Sequence, residues 1–136
     1  MRSYAPRESC AAGPDVGRAL EVLVAGTPGR AVHLTMPEPF VVDCAARAHC
    51  LVRCVQEILT NVLRHAAAEN LWIVITRDDA LITVEARDDG RGAIELRAGN
   101  GLSGMRARIE EMGGHLLIAP APTFSLRASL PVTEGA

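Results

Sequence analysis

Along QEILTNVLRHA, residues 56–66, apolar side chains recur at Ile58, Leu59, Val62 and Leu63. That spacing belongs to a helix with one face in a core. The helix is expected to start at Asp43, a residue type that caps helix N-termini, and to run to about Ala67. Upstream, Asp15 is a second candidate cap, for a short helix over VGRALEVLVAG that TPGR breaks. Between the two helices AVHLT, residues 31–35, alternates as a strand does, before the turn-forming PEP at 37–39.

Downstream the period changes. NLWIVITR (70–77) and ALITVEAR (80–87) alternate on either side of Asp78 and Asp79, which reads as an antiparallel hairpin. A glycine-rich segment, DDGRGAIELRAGN, leads into GLSGMRARIEEMGG, a helix expected to begin near Leu102 and to end at Gly113 and Gly114. HLLIA and FSLRASL read as two last strands around the breaker PAPT. This order predicts an α+β sandwich with a mixed, mostly antiparallel sheet and its helices on one face. Residues 1–14 lack periodicity and are expected to form a loose arm, residues 15–132 the domain, and residues 133–136 a tail.

Composition narrows the function classes. A length of 136 residues with 49% hydrophobic content fits one domain with a real core. Fourteen basic against sixteen acidic residues, net charge −2, argue against nucleic acid or an anionic membrane surface as partner. No apolar run is long enough to span a bilayer and MRSYAPRESC lacks the core of a signal peptide, so a cytoplasmic protein is expected. Cys10, Cys44, Cys50 and Cys54 lack the paired spacing of a zinc site and read as small thiols, buried in a reducing cell.

Three segments can carry chemistry. On the long helix Glu57, Asn61, Arg64 and His65 stand at offsets of 4, 7 and 8, near one line. Glu57 and Asn61 offer hard oxygen ligands suited to Mg²⁺, and Arg64 and His65 offer positive charge toward phosphates. A solvated helix face is the alternative. GNGLSG (99–104) formally matches GxGxxG, but a loop precedes it and no acidic residue follows at the required distance, which argues against a Rossmann site. Gly99, Gly101 and Gly104 still let a backbone approach a ligand, and the helix start presents unpaired N–H groups that suit phosphate; a simple glycine hinge is the alternative. In DDGRG, Asp88 ends a strand before Gly90 and Gly92 bend the chain. A carboxylate so placed can accept from an exocyclic amine such as adenine's, or merely belong to an acidic turn.

Taken together and in this order, these residues resemble the ATP-binding catalytic domain of two-component sensor histidine kinases. These belong to the GHKL group, with gyrase, a mismatch-repair ATPase and a heat-shock chaperone, and the likeness is greatest to kinases of the nitrate-sensor and desaturase-sensor type. QEILTNVLRHA is similar to that family's N box, DDGRG to its first glycine box and GNGLSGMRARIEEMGG to its second, and the resemblance covers about residues 15–132. It implies a two-layer sandwich of the Bergerat type with three helices on one face. It also implies ATP and Mg²⁺ as cofactors. Asn61 would then be the Mg²⁺ ligand, and Glu57 the catalytic residue that assists the metal or polarises the attacking group through water. Arg64 and His65 would lie near the phosphates, Asp88 would read the adenine amine, and Gly90 and Gly92 would shape the pocket wall. Gly99, Gly101, Leu102, Ser103 and Gly104 would hold the triphosphate beneath a lid over residues 93–98. The implied partner is a dimerisation domain carrying the phosphoacceptor histidine, in a longer chain or in trans, with a response regulator served indirectly and the isolated domain a monomer.

The chain departs from that pattern twice. PAPTF replaces the last glycine box, with Thr123 standing in for its threonine and no glycine before it, so adenine-side contacts are expected to differ. None of His33, His49, His65 and His115 is followed by an acidic residue, as the family's acceptor histidine is, so the acceptor is expected elsewhere. Two other readings are an anti-sigma-factor serine kinase and a nucleotide-binding or docking module without catalysis. Of the remaining residues, Trp72 is expected to pack in the core or on a sheet face and Met105 and Met112 in the core. Arg106 and Arg108 are expected to be solvated, with Arg106 near enough in sequence to reach phosphate.

Overall fold

Asp15 caps the first helix as its sequence position predicts: its Oδ1 accepts the Arg18 backbone N–H at 3.2 Å. In this computed structural model the described residues are 15–27, 31–37, 39–42, 44–65, 69–90, 100–119, 123 and 125–132. Helix α1 (Val16–Ala25) buries Val16, Gly17 and Leu20, and strand β1 (Ala31–Thr35) follows. Helix α2 (Ala45–His65) starts one residue after Cys44, whose carbonyl accepts from the Ala48 N–H. The expected cap Asp43 and the expected last turn at Ala66–Ala67 lie outside the described residues.

Strands β2 (Asn70–Arg77) and β3 (Leu81–Asp88) form the expected hairpin, with β3 beginning and ending one residue later than the alternation suggests. The reason is Asp78. Its carboxylate takes the Ala80 and Leu81 N–H groups at 2.7 and 2.8 Å, which keeps Ala80 in the turn. Helix α3 (Asn100–Glu111) begins two residues before Leu102 and ends at Gly113, whose φ of 83° is the left-handed conformation that suits glycine. Strands β4 (His115–Ala119) and β5 (Ser125–Pro131) complete the domain.

The five strands lie in the order β1-β2-β3-β5-β4, with β1 parallel to β2 and every other pairing antiparallel. Strand alternation then divides the sheet into two faces. Leu71, Ile73 and Ile75 of β2, Ile82, Val84 and Ala86 of β3, and Leu126, Ala128 and Leu130 of β5 join one core with residues of all three helices. From α2 that core takes Leu51, Val55 and Ile58, and from α3 Met105 and Ile109, with Met112 packed against it. This is the predicted two-layer α+β sandwich. The other face carries His33, Trp72 and Arg87 as direct cross-strand neighbours, so Trp72 packs on the sheet face and not in the core.

A parallel pair needs a crossover, and α2 is the crossover from β1 to β2. The C-terminal end of α2 therefore arrives at the end of the sheet where β2 begins and β3 ends. At the opposite end of α2, the guanidinium of Arg47, only 4% exposed, donates from Nε to the Pro131 carbonyl at 2.8 Å and ties the helix to the end of β5. Cys44, Cys50 and Cys54 are buried thiols, as expected. No described helix is long and apolar enough to cross a membrane.

Candidate functional site

Asp88 is the last residue of β3 and lies on the helix-facing side, two positions beyond Ala86. It is 3% exposed, and among the described residues only Arg47 is also charged and buried. One carboxylate oxygen, Oδ1, accepts the Gly90 N–H at 3.0 Å, closing a turn two residues on. The other, Oδ2, is buried with no partner among the described residues. A buried acceptor left without a donor costs about 1–3 kcal/mol, so this oxygen marks a place where a donor from outside the chain would be stabilised.

Asn61 repeats the pattern on α2. Its side chain is half-buried, and its Nδ2 is buried without a partner among the described residues. Glu57, one turn earlier, is half-buried. The crossover brings the two orphaned groups to the same end of the fold: Leu71, the cross-strand partner of Asp88, lies six residues beyond His65, the last residue of α2. Arg64 and His65 form part of the last turn of α2, and Gly101, Leu102, Ser103 and Gly104 the beginning of α3. Thr123 is half-buried, two residues before Ser125, which pairs with Arg87. The register thus places the start of β5 beside the end of β3 that holds Asp88. Gly92, Gly99 and the expected lid at 93–98 lie outside the described residues.

Arg106 is exposed, as the sequence suggests; it donates from Nη1 to the Leu116 carbonyl at 2.9 Å and lies 3.9 Å from Glu110, so it braces α3 against β4. Arg108 is differently placed. Arg108 is half-buried, and its Nε is a third buried group without a partner. The hydrogen bond from Cys54 lowers the Cys50 thiol against the effect of burial, helped by the charges of Arg108 and Arg47; the same bond and burial push the Cys54 thiol up. Helical spacing gave no hint of Arg108, because its inward aim depends on how α3 lies against α2.

Asp89 is the other residue that sequence reading passes over. Its Oδ1 accepts the backbone N–H groups of Glu69 and Asn70, each at 3.0 Å, and its Oδ2 accepts the Asn70 side-chain amide at 2.9 Å. The Asn70 side chain and then its backbone N–H hold the Asp89 carboxyl below the usual carboxylate range. The only sequence signal was the doubled aspartate of DDGRG, where the first carboxylate drew the interest.

Comparison with known proteins shows the family of the chain. Residues 47–134 match the family model described as histidine kinase-, DNA gyrase B-, and HSP90-like ATPase. The chain is 38% identical over 80 residues to the sensor histidine kinase YxjM of Bacillus subtilis, which covers 59% of this chain and 20% of that protein. It is 34% identical over 88 residues to the histidine-protein kinase/phosphatase DegS of Brevibacillus brevis, covering 61% of this chain and 23% of DegS. It thus spans about a fifth of the length of these relatives. Among solved structures, the catalytic domain of histidine kinase ThkA superposes with a TM-score of 0.72 at 14% identity, covering 90% of this chain and 97% of that one; at that identity the likeness speaks for the fold. The chain belongs to the histidine kinase-, DNA gyrase B- and HSP90-like ATPase family, as an ATP-binding catalytic domain of the kind found in sensor histidine kinases.

Proposed function

We propose that this domain binds Mg-ATP at the end of the sheet where α2, β3 and α3 meet, and that it transfers the γ-phosphate to a histidine on a separate dimerisation domain. The observation that carries the reading is the Oδ2 of Asp88, buried and without a partner among the described residues while Oδ1 is held by Gly90. A carboxylate oxygen accepts only, so the missing group is a donor. The adenine amine supplies one, and Gly90 adds no side-chain bulk beside it; Gly92, outside the described residues, would do the same.

The residues of α2 fit the metal that accompanies the nucleotide. An amide exchanges its nitrogen and oxygen by a half-turn of its last torsion, so the buried, unpartnered end of Asn61 can be presented as oxygen. Asn61 and the carboxylate of Glu57 would hold Mg²⁺, and both are hard oxygen donors of the type that ion prefers. When bound, the ion neutralises charge on the β- and γ-phosphates. Glu57 also assists by orienting the attacking group through water. Arg64, His65 and the start of α3, with Gly99, Gly101, Leu102, Ser103 and Gly104, hold the phosphates, and Thr123 borders the adenine side. Such transfer is mostly positioning and charge stabilisation, so the chain needs no covalent nucleophile of its own.

Phosphate would pass to the acceptor histidine, carried in a longer chain or supplied in trans, and from there to a response regulator in the cytoplasm. The test is incubation of the chain with Mg²⁺, ATP labelled on the γ-phosphate and a cognate dimerisation domain. The expected product is label on that domain in an acid-labile, alkali-stable form, dependent on Mg²⁺. Absence of label with every cognate dimerisation domain tried, together with intact ATP binding, would reduce the proposal to nucleotide binding.

A further inference from the structure

We propose that Asp89 is a positioning residue for the nucleotide site, a clamp outside the pocket that sets Asp88 in register with the start of β2. The inference rests on the reading of Asp88 as the adenine acceptor. Asp88, the last residue of β3, is buried facing the helices, while Asp89, the next residue along the chain, lies just past the strand and is exposed. From there its two oxygens collect three donors: Glu69 N–H, Asn70 N–H and the Asn70 side-chain amide. The Asp89 N–H in turn donates to the Asn70 carbonyl at 3.3 Å.

These bonds join the segments that carry the two orphaned groups. Asp89 follows Asp88 directly, and Glu69 and Asn70 are the first described residues after the end of α2, whose penultimate turn carries Asn61. One carboxylate therefore fixes the end of β3 against the start of β2. The clamp also extends sideways. Asn70 Oδ1 lies 2.9 Å from His33 Nε2, and the Glu69 carbonyl accepts the Ala31 N–H at 2.9 Å, so β1 is tied in as well. The His33 ring stacks on Trp72, centroids 5.5 Å apart, and the Arg87 guanidinium lies 4.8 Å from the Trp72 ring. With Asn70 donating to Asp89, its oxygen faces His33, which must then donate from Nε2; the chain of donors and acceptors has one consistent direction.

That direction supplies a decisive variant. Asp89→Asn alone sets two NH₂ groups against each other or turns the Asn70 amide so that it gives up its oxygen to residue 89 and its bond from His33, whereas Asp89→Asn with Asn70→Asp restores the bond with the charge moved to residue 70, and the Asp placed there still accepts from His33. The experiment measures ADP and IDP affinity by calorimetry, and the thermal midpoint, for the wild-type chain, Asp89→Ala, Asp89→Asn and the exchanged pair. Expected are an ADP affinity about tenfold lower in both single variants, from loss of charge-assisted bonds that position Asp88, and recovery to within about twofold in the exchanged pair. Single variants that bind ADP as the wild type does would overturn the clamp. So would an exchanged pair that melts like the wild type yet binds as weakly as Asp89→Ala. A wild-type chain that binds ADP and IDP equally overturns the Asp88 reading instead, and rescue by the exchanged pair still supports a clamp acting through the start of β2.

Discussion

The carboxylate of Asp88 is divided between two environments: Oδ1 accepts the Gly90 N–H at 3.0 Å, and Oδ2 is buried without a donor. Asp88→Asn keeps the first bond and turns the second oxygen into an NH₂ group that faces the adenine amine donor to donor. ADP affinity is expected to fall by about 10- to 100-fold, the worth of one hydrogen bond to a charged group. Without nucleotide the same change removes a buried, half-satisfied charge. The thermal midpoint is therefore expected to rise by a few degrees, about 1 kcal/mol of stability. Calorimetry and a melting curve on one preparation check both signs.

Asn61 is expected to behave differently. Asn61→Asp keeps an oxygen donor for the metal but alters its charge and removes the donor end, so phosphoryl transfer should fall by about 100-fold or more while ADP affinity changes by less than about fivefold. Initial rates at saturating Mg-ATP, set beside calorimetric affinities, separate the two effects. Equal loss of binding in Asn61→Asp and Asp88→Asn would contradict the division of roles between α2 and β3.

Most of the fold was legible because its elements carry strong local signals. The cap at Asp15, the period-2 runs on either side of Asp78 and the glycine pair at 113–114 each have a short-range physical cause, and each appears where it was read. Boundaries slipped by a residue or two where side chains capture backbone donors, as Asp78 does with Ala80. Asp88 and Asn61 stood out because a strand end beside glycines and a polar line on an apolar helix are visible patterns. Asp89 and Arg108 were not legible, since the roles of both depend on neighbours distant in sequence. Glu69 and Asn70 lie about twenty residues from Asp89, and the burial of Arg108 depends on the docking of α3.

Gly114 is a sharp test of the close approach of α3 to β5. A Cβ there would overlap the Ser129 carbonyl oxygen and crowd Ile109 and Leu130. Gly114→Ala is expected to cost about 3 kcal/mol, since the clash is with backbone that cannot swing aside. Gly26 serves as the control. A Cβ there meets only helix carbonyls at 3.5 and 3.7 Å, so Gly26→Ala should stay within about 0.5 kcal/mol of the wild type in urea unfolding.

The β2–β3 hairpin should weaken in acid through Asp78. The N–H groups of Leu81 and then Ala80 hold its carboxyl below the usual carboxylate range. A depressed carboxyl stabilises the fold fully above its unfolded value, and the contribution is lost as pH falls through the folded one. Asp78→Asn should therefore melt lower than the wild type near neutral pH, and the gap should narrow once the pH drops below the usual carboxylate range. Melting curves across an acid series check this, and a gap that is constant with pH would show that the charge plays no part.

The most direct measurement of the central claim, that the buried Oδ2 of Asp88 reads the adenine amine, is the ratio of ADP to IDP affinity in the wild-type chain and in Asp88→Asn. Inosine carries a carbonyl where adenine carries the amine. If Asp88 accepts from that amine, the wild type binds ADP at least about tenfold more tightly than IDP, and the preference collapses in Asp88→Asn. Equal affinities in the wild type, or a preference that survives the substitution, would contradict it.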